Sequence, residues 1–321
     1  MHVRTSARAL AVVAALGLSA VTPVTAQAAP ADASAPGDIV SSAPSSFHPL
    51  PGQPTHTKAW KVNYRSTTAK GEPNTVSGTV IVPQDGRKGP RPLITYAVGT
   101  IGMGDHCASS AGFPRGTALE ANLIQQLTLR GWAVAVTDYE GLGTPGDHTY
   151  TVGKAEGQAM LDAARAAIRL PEAGLGEDTP VGIMGYSQGG QASSWAAELH
   201  GSYAPDLKVK GTATGGVPGD LMKTADFNDG SYGSGLIFMA AIGQDAAFPE
   251  LNLESYLNPA GKKLIGTLRN SCVADGAVLG AFKKISDMTV KNPSTSPTGS
   301  SVCASRRSAH GLRTRRCTST T

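Results

Sequence analysis

Val181-Gly182-Ile183-Met184-Gly185-Tyr186-Ser187-Gln188-Gly189 is the stretch on which the reading of this chain turns. Val181 to Tyr186 is a short apolar run of strand type, and the small-residue run from Gln188 to about His200 has the composition of a helix. Between them lies Gly185-Tyr186-Ser187-Gln188-Gly189, the one G-x-S-x-G match in the chain. The motif alone is weak, since on the order of 0.3 chance matches are expected in a sequence so rich in Gly and Ser. A strand leading in and a helix leading out is what a nucleophile elbow requires. Such a turn holds its serine in a strained conformation and leaves room only for small residues two positions to either side. It lifts the serine oxygen above the carboxyl edge of a sheet, where α/β folds bind ligands. It also sets Ser187 at a helix N-terminus, whose dipole favours developing negative charge. An ordinary Gly-rich turn is the plain alternative, and the context favours the elbow.

Outward from this stretch the pattern alternates. Thr75–Val82 and Leu93–Val98 are β-branched runs separated by a Pro/Gly/Lys turn, a hairpin-like signal. A helix is expected from Ala118 to Arg130, with Thr117 as N-cap and Gly131 as its stop. Trp132–Thr137 reads as a strand ending at Asp138. In Lys154–Leu170 the residues Ala155, Met160, Leu161, Ala164 and Ile168 share one helical face, and Pro171 and Gly174 end it. Val209–Val217 reads as a further strand. Strand–helix alternation implies right-handed crossovers onto a mostly parallel sheet. From Asp220 to Ile285 the alternation stops, and apolar helical runs broken by Gly, Asn and Pro suggest an inserted helical cap. Its segment Leu236–Ile242 reads as a lid or as a buried cap helix, the second being favoured because exposed apolar patches are uncommon.

The ends differ from the body. Arg4 and Arg8 before the apolar run Ala9–Val21, with Ala26-Gln27-Ala28 after it, have the form of a cleaved secretory signal over residues 1–28, so the protein is expected to be secreted. Residues 29–50, rich in Ala, Pro and Ser, read as a disordered lead-in, with structure expected from about Trp60. The core is expected over 51–219, the cap over 220–285 and an aberrant tail over 286–321. With Arg4 and Arg8 in the leader and five arginines in the last 29 residues, the body carries a net charge of −3 out of a total of +4. A mildly acidic body has no basic footprint for nucleic acid. Four cysteines in an exported chain are disulfide candidates with three connectivities, and none has metal-ligand spacing. No cofactor is implied, because acyl transfer by a serine uses only side chains and backbone donors.

That chemistry needs a second backbone donor for the oxyanion, usually from the loop after an earlier strand. The loop Gly99-Thr100-Ile101-Gly102-Met103-Gly104 follows Leu93–Val98, so the N–H of Gln188 is paired with one near Thr100. At these residues the chain resembles the secretory lipase family. Four blocks carry the likeness: Gly99-Thr100 through Asp105-His106-Cys107-Ala108; Thr137-Asp138-Tyr139-Glu140-Gly141-Leu142-Gly143; Gly157 through Leu161-Asp162-Ala163 and Arg165-Ala166-Ala167; and Gly185-Tyr186-Ser187-Gln188-Gly189-Gly190. The resemblance extends from about Trp60 to Pro293. It implies an α/β-hydrolase fold with a mostly parallel sheet and an inserted helical cap, and hydrolysis of fatty acyl esters at a lipid or ester substrate. It also implies a Cys107–Cys272 disulfide tying the oxyanion loop to the cap. Ile101 departs from the polar residue that the resemblance leads one to expect there.

The pattern fails at the triad. The order in this fold is Ser, then Asp or Glu, then His. After Ser187 the histidines are His200, which lies in the helix leaving the elbow, and His310. Asp287 could precede His310, but neither follows a recognisable strand. The triad acid and base therefore read as absent, with His106 and His148, upstream of the serine, read as loop residues and kept as alternative bases. From Pro293 onward the text is Ser, Thr and Arg with almost no large apolar residue, as an out-of-frame reading of a GC-rich gene would give. The expectation is a frameshift near residue 292. Two classes of function follow, an acyl-enzyme lipase or esterase working through Ser187 and a catalytically dead, lipase-like remnant. A third keeps the fold and acts on amides or acceptor alcohols.

Overall fold

A computed structural model describes residues 35–87 and 89–291. The expected secretory leader and the tail from residue 292, with His310, Cys303 and Cys317, lie outside the described residues. Seven strands form one sheet: β1 Ile39–Ser45, β2 Thr57–Thr67, β3 Pro73–Pro83, β4 Leu93–Ala97, β5 Ala133–Thr137, β6 Pro180–Tyr186 and β7 Lys208–Gly215. Their spatial order is β1-β2-β3-β5-β4-β6-β7. β1, β2 and β3 pair antiparallel, as do β3 and β5, whereas β5, β4, β6 and β7 run parallel. This is the α/β-hydrolase sheet, antiparallel at one side and parallel through its centre.

The central strands read as unbroken apolar runs because both their faces are covered. Every residue of β4 and β5 is buried. Around them lie the helices α1 Ser109–Gly112, α2 Ala121–Leu129, α3 Gly153–Arg169 and α4 Gln188–Tyr203. Helix α3 is buried along most of its length, largely through small side chains, and lies across the sheet. The Thr95 hydroxyl of β4 donates to Met160 O at 2.7 Å, and the Tyr64 hydroxyl of β2 donates to Ala159 O at 3.0 Å.

Several boundaries correct the sequence reading. Residues 39–45, assigned above to a disordered lead-in, form β1 on the edge of β2, and Phe47 beyond it is buried against Phe113. The hairpin expected between the strands of β3 and β4 does not form. β5 lies between them, and the hairpin joins β2 to β3. Local turn composition cannot tell a hairpin from a crossover when the partner strand lies 40 residues further along. Helix α2 starts at Ala121, and its N-cap is Glu120 in the left-handed region (φ 61°) rather than Thr117.

After β7 come α5 Leu221–Asn228, α6 Ser234–Ala247, α7 Pro259–Leu268, α8 Val273–Gly280 and α9 Ile285–Met288. These helices have a core of their own, in which Phe238, Met239 and Ile242 of α6 meet Leu264, Ile265 and Leu268 of α7, and Met103 and Tyr150 join them from the sheet side. The Leu236–Ile242 segment is thus part of a cap helix with three of its side chains buried. No helix among the described residues is long and apolar enough to cross a membrane.

Candidate active site

Ser187 directly follows β6 and is the N-cap residue of α4, at φ 59° and ψ −119°. A non-glycine residue stays in that region only where its surroundings over-determine it. Here the Ser187 N–H donates to Gly215 O at 3.0 Å, and the Ser187 carbonyl accepts from Gln191 N at 3.0 Å. The small residues expected two positions to either side are required by contact. A Cβ at Gly185 would lie 2.1 Å from Gly189 O, and one at Gly189 would lie 1.9 Å from Ala97 O. The backbone turns against the end of β4 with no room for a methyl group. Ser187 is half-buried, and among the described residues its Oγ has no hydrogen-bond partner.

The Gly99–Gly104 loop passes beside it, and a Cβ at Gly99 would lie 3.7 Å from the Ser187 Cβ. The Gly99 N–H is already committed: it donates to Glu120 Oε1 at 2.9 Å, while Glu120 Oε2 accepts from the Tyr96 hydroxyl at 2.8 Å. The next N–H, that of Thr100, has no partner among the described residues, nor has that of Gln188. The Thr100 side chain shares a 2.8 Å hydrogen bond with the Tyr150 hydroxyl. Ile101 is buried, and its carbonyl accepts from Val273 N at 2.9 Å. Gly102 bridges Cys272, Met103 N donates to Ser271 O at 2.9 Å, and the Cys107–Cys272 disulfide closes the same junction. Gly102 has φ 131°, and a Cβ there would lie 2.5 Å from the Cys272 Cα. His106 lies beside the disulfide, but the two sulfurs are bonded to each other and offer no thiolate to a metal.

Behind the elbow is a buried polar cluster that the sequence reading missed. The Gln188 amide nitrogen donates to Glu156 Oε1 at 2.9 Å and lies 3.0 Å from His148 Nε2. His148 Nδ1 is 2.9 Å from Glu140 O, so Nδ1 carries the proton and Nε2 accepts from Gln188. With both nitrogens engaged and the ring fully buried, His148 has no free lone pair for Ser187. Burial pulls its pKa down to about 4. That disposes of it as a substitute base. His106 is exposed on the disulfide loop, and its Nε2 lies 3.6 Å from Cys107 Sγ. His200 lies toward the far end of α4, where its Nε2 hydrogen-bonds Leu207 O at 3.1 Å. Asp287 lies in α9, so residues 286–288, read above as the start of the tail, are helical and packed on α7, with Asn258 N donating to Met288 O at 3.1 Å. The Asp287 carboxylate is at the N-terminus of that short helix. Among the described residues no imidazole hydrogen-bonds Ser187.

Glu120 and Glu156 are absent from any motif. Glu156 did leave a trace in the sequence, as an acid on the otherwise small and apolar face of α3. The hold of Glu120 on Gly99 left none, because it depends on a left-handed residue bringing two distant segments together. The arrangement offers an unpaired hydroxyl on a strained turn, at a helix N-terminus, with two unpaired backbone N–H groups nearby. A free hydroxyl and unpaired backbone donors are the groups that acyl transfer by a serine requires.

The sequence profile described as secretory lipase matches residues 113–296. A protein of Mycobacterium tuberculosis named a "probable inactive lipase" is 32% identical over 248 residues, covering 73% of this chain and 54% of that protein. Lipase 4 of Candida albicans is 33% identical over 230 residues, 68% of this chain and 49% of its own length. A secreted triacylglycerol lipase of Malassezia furfur is 29% identical over 227 residues, 68% and 45% respectively. The chain thus spans about half the length of the curated relatives it matches. The crystal structure of Candida antarctica lipase A superimposes with a TM-score of 0.75 at 24% identity, over 84% of this chain and 64% of that one.

Proposed function

The chain belongs to the secretory lipase family, and from that premise we propose that it is a secreted hydrolase of fatty acyl esters with Ser187 as nucleophile. The observation that carries this reading is the strained Ser187 turn at the head of α4, with the N–H groups of Gln188 and Thr100 unpaired beside it. In this reading Ser187 Oγ bonds to the ester carbonyl carbon and gives up its proton. The carbonyl oxygen takes the negative charge and is met by the Gln188 and Thr100 N–H groups. The carbon–oxygen bond to the alcohol then breaks, the alcohol leaves protonated, and water hydrolyses the acyl-serine. Residues 220–285 act as the cap over the acyl chain, and the Cys107–Cys272 disulfide holds the oxyanion loop against it. Export by the N-terminal signal agrees with the secreted relatives.

A second reading, a lipase-like protein without turnover, is favoured by the lack of any imidazole on Ser187 among the described residues. Loss of the base typically costs several powers of ten in rate. Hydrolysis of a chromogenic short-chain ester by the whole chain, alongside Ser187→Ala and His310→Ala, separates the two. Turnover abolished by Ser187→Ala supports the first reading, and a further drop with His310→Ala assigns the base. Turnover equal in wild type and Ser187→Ala leaves the second.

A further inference from the structure

The buried pair behind the elbow has an arithmetic of donors that does not close with an ionised glutamate. Glu156 and Gln188 are both almost fully buried. Glu156 Oε1 accepts from Thr151 N at 3.0 Å and from the Gln188 amide nitrogen at 2.9 Å. Its Oε2 is buried without a partner, and so is Gln188 Oε1. The two stranded oxygens belong to side chains already joined through the Gln188 amide nitrogen and Glu156 Oε1. Two acceptors left unpaired in an apolar interior cost free energy, and an ionised carboxylate there costs much more. One proton on Glu156 Oε2 removes the charge and turns a stranded acceptor into a donor beside the amide that it already holds. The groups that face the pair are the neutral imidazole of His148, the Thr151 amide and the phenols of Tyr139 and Tyr150. None is a cation that would hold a carboxylate ionised, and among the described residues no Lys or Arg is ion-paired with Glu156.

We infer that Glu156 is a positioning residue of the Ser187 site that works as a neutral acid: it clamps the Gln188 side chain at two points and thereby fixes the backbone N–H next to the nucleophile. The inference rests on the proposed role of Ser187 and names the group that supports it. Burial points the same way, pushing the Glu156 carboxyl up to about 8 against the two hydrogen bonds that lower it. Gln188 is held from the other side by His148, whose proton is fixed on Nδ1 by Glu140 O. The first turn of α4 is thus braced through a side chain rather than through its backbone, leaving that N–H unpaired.

Two readouts on the intact chain test this. Infrared spectra in heavy water at about pH 7 are expected to show the C=O stretch of a protonated carboxyl that Glu156→Gln removes and Ser187→Ala keeps. Absence of that band, with the Glu156 signal in the carboxylate region, overturns the neutral clamp. The second readout is the rate at which a fluorophosphonate labels Ser187, followed by intact mass. Glu156→Ala is expected to slow labelling by about ten- to a hundredfold, whereas Glu156→Gln, which keeps an N–H donor beside the Gln188 amide, labels faster than Glu156→Ala. Equal rates in the two variants, both folded by circular dichroism, overturn the positioning role while leaving the nucleophile reading intact. If the wild-type chain takes no label at Ser187, the nucleophile reading falls and the positioning role with it, and the infrared band still decides the charge of Glu156.

Discussion

Ser187 is held in its strained conformation by neighbours that have no side chains to move. Gly189 lies against Ala97 O, and Gly185 against Gly189 O, so the turn tolerates no Cβ at either position. Overpacking at such a contact typically costs about 1–3 kcal/mol, and more where the obstacle is backbone. Gly189→Ala is therefore expected to lower the unfolding free energy from urea titration by at least that amount, with a lower midpoint, and to remove Ser187 labelling. An unchanged midpoint would show that the turn relaxes. Glu120 works by a different means, since its carboxylate occupies the Gly99 N–H and so leaves that of Thr100 as the free donor of the loop. On the proposed reading, Glu120→Ala is expected to lower kcat for ester turnover more than it raises KM, because a donor assigned to the oxyanion acts on the transition state and not on the ground-state ester. The motif Gly185-Tyr186-Ser187-Gln188-Gly189 carried the elbow in full, glycines included. Glu120, Glu156 and His148 were not legible as a set, because only folding brings residues of three separate loops and helices onto one turn.

The Gly99–Gly104 loop and the Ser271–Val273 segment of the cap meet in a short bridge, two backbone hydrogen bonds and a disulfide. The two cysteines are 165 residues apart in sequence. Closing so long a loop in the unfolded chain is worth about 5 kcal/mol in the chain-entropy model, and removal of native disulfides typically costs about 2–5 kcal/mol. Cys107→Ser with Cys272→Ser is expected to lose stability of that order by urea unfolding and to raise hydrogen exchange at Met103 and Val273 first. Stability equal to wild type would mean that the backbone bridge suffices. Strand assignment shows where local reading stops. β4, β5 and β6 were legible as apolar runs, yet their order was not, since β5 inserts between β3 and β4. Turn composition reports the direction of the next few residues, whereas strand neighbours are chosen by which buried faces fit across the whole sheet.

At the scale of the molecule, two buried titratable groups give opposing slopes of stability against pH. His148 has its pKa lowered to about 4, so its contribution is complete above its unfolded value and is lost as pH falls from about 6.5 toward 4. Glu156 has its pKa raised to about 8, so its contribution is complete below its unfolded value and is lost as pH rises from about 4.5 through 8. Between about pH 4.5 and 6.5 the two slopes cancel. The pair thus predicts a plateau there, with a decline on the alkaline side on the order of 1–2 kcal/mol up to pH 8. Urea midpoints compared between wild type, Glu156→Gln and His148→Gln isolate the two parts. Glu156→Gln is expected to gain on wild type as pH rises toward 8, and His148→Gln to gain as pH falls toward 4. Parallel profiles in all three would show that neither group keeps its shifted state. The sequence by itself determined the fold class, the strand–turn–helix at Ser187 and the change from alternation to helices after β7, because each rests on short-range signals: apolar periodicity, a fixed motif and a break in alternation. Only the tertiary structure decided the strand order, the strand formed by residues 39–45, and which backbone N–H groups remain free at Ser187. It also showed the buried acid behind them. Those outcomes depend on burial and on contacts between segments far apart in the chain, and no local pattern encodes who will be left without a hydrogen-bond partner once the core has closed.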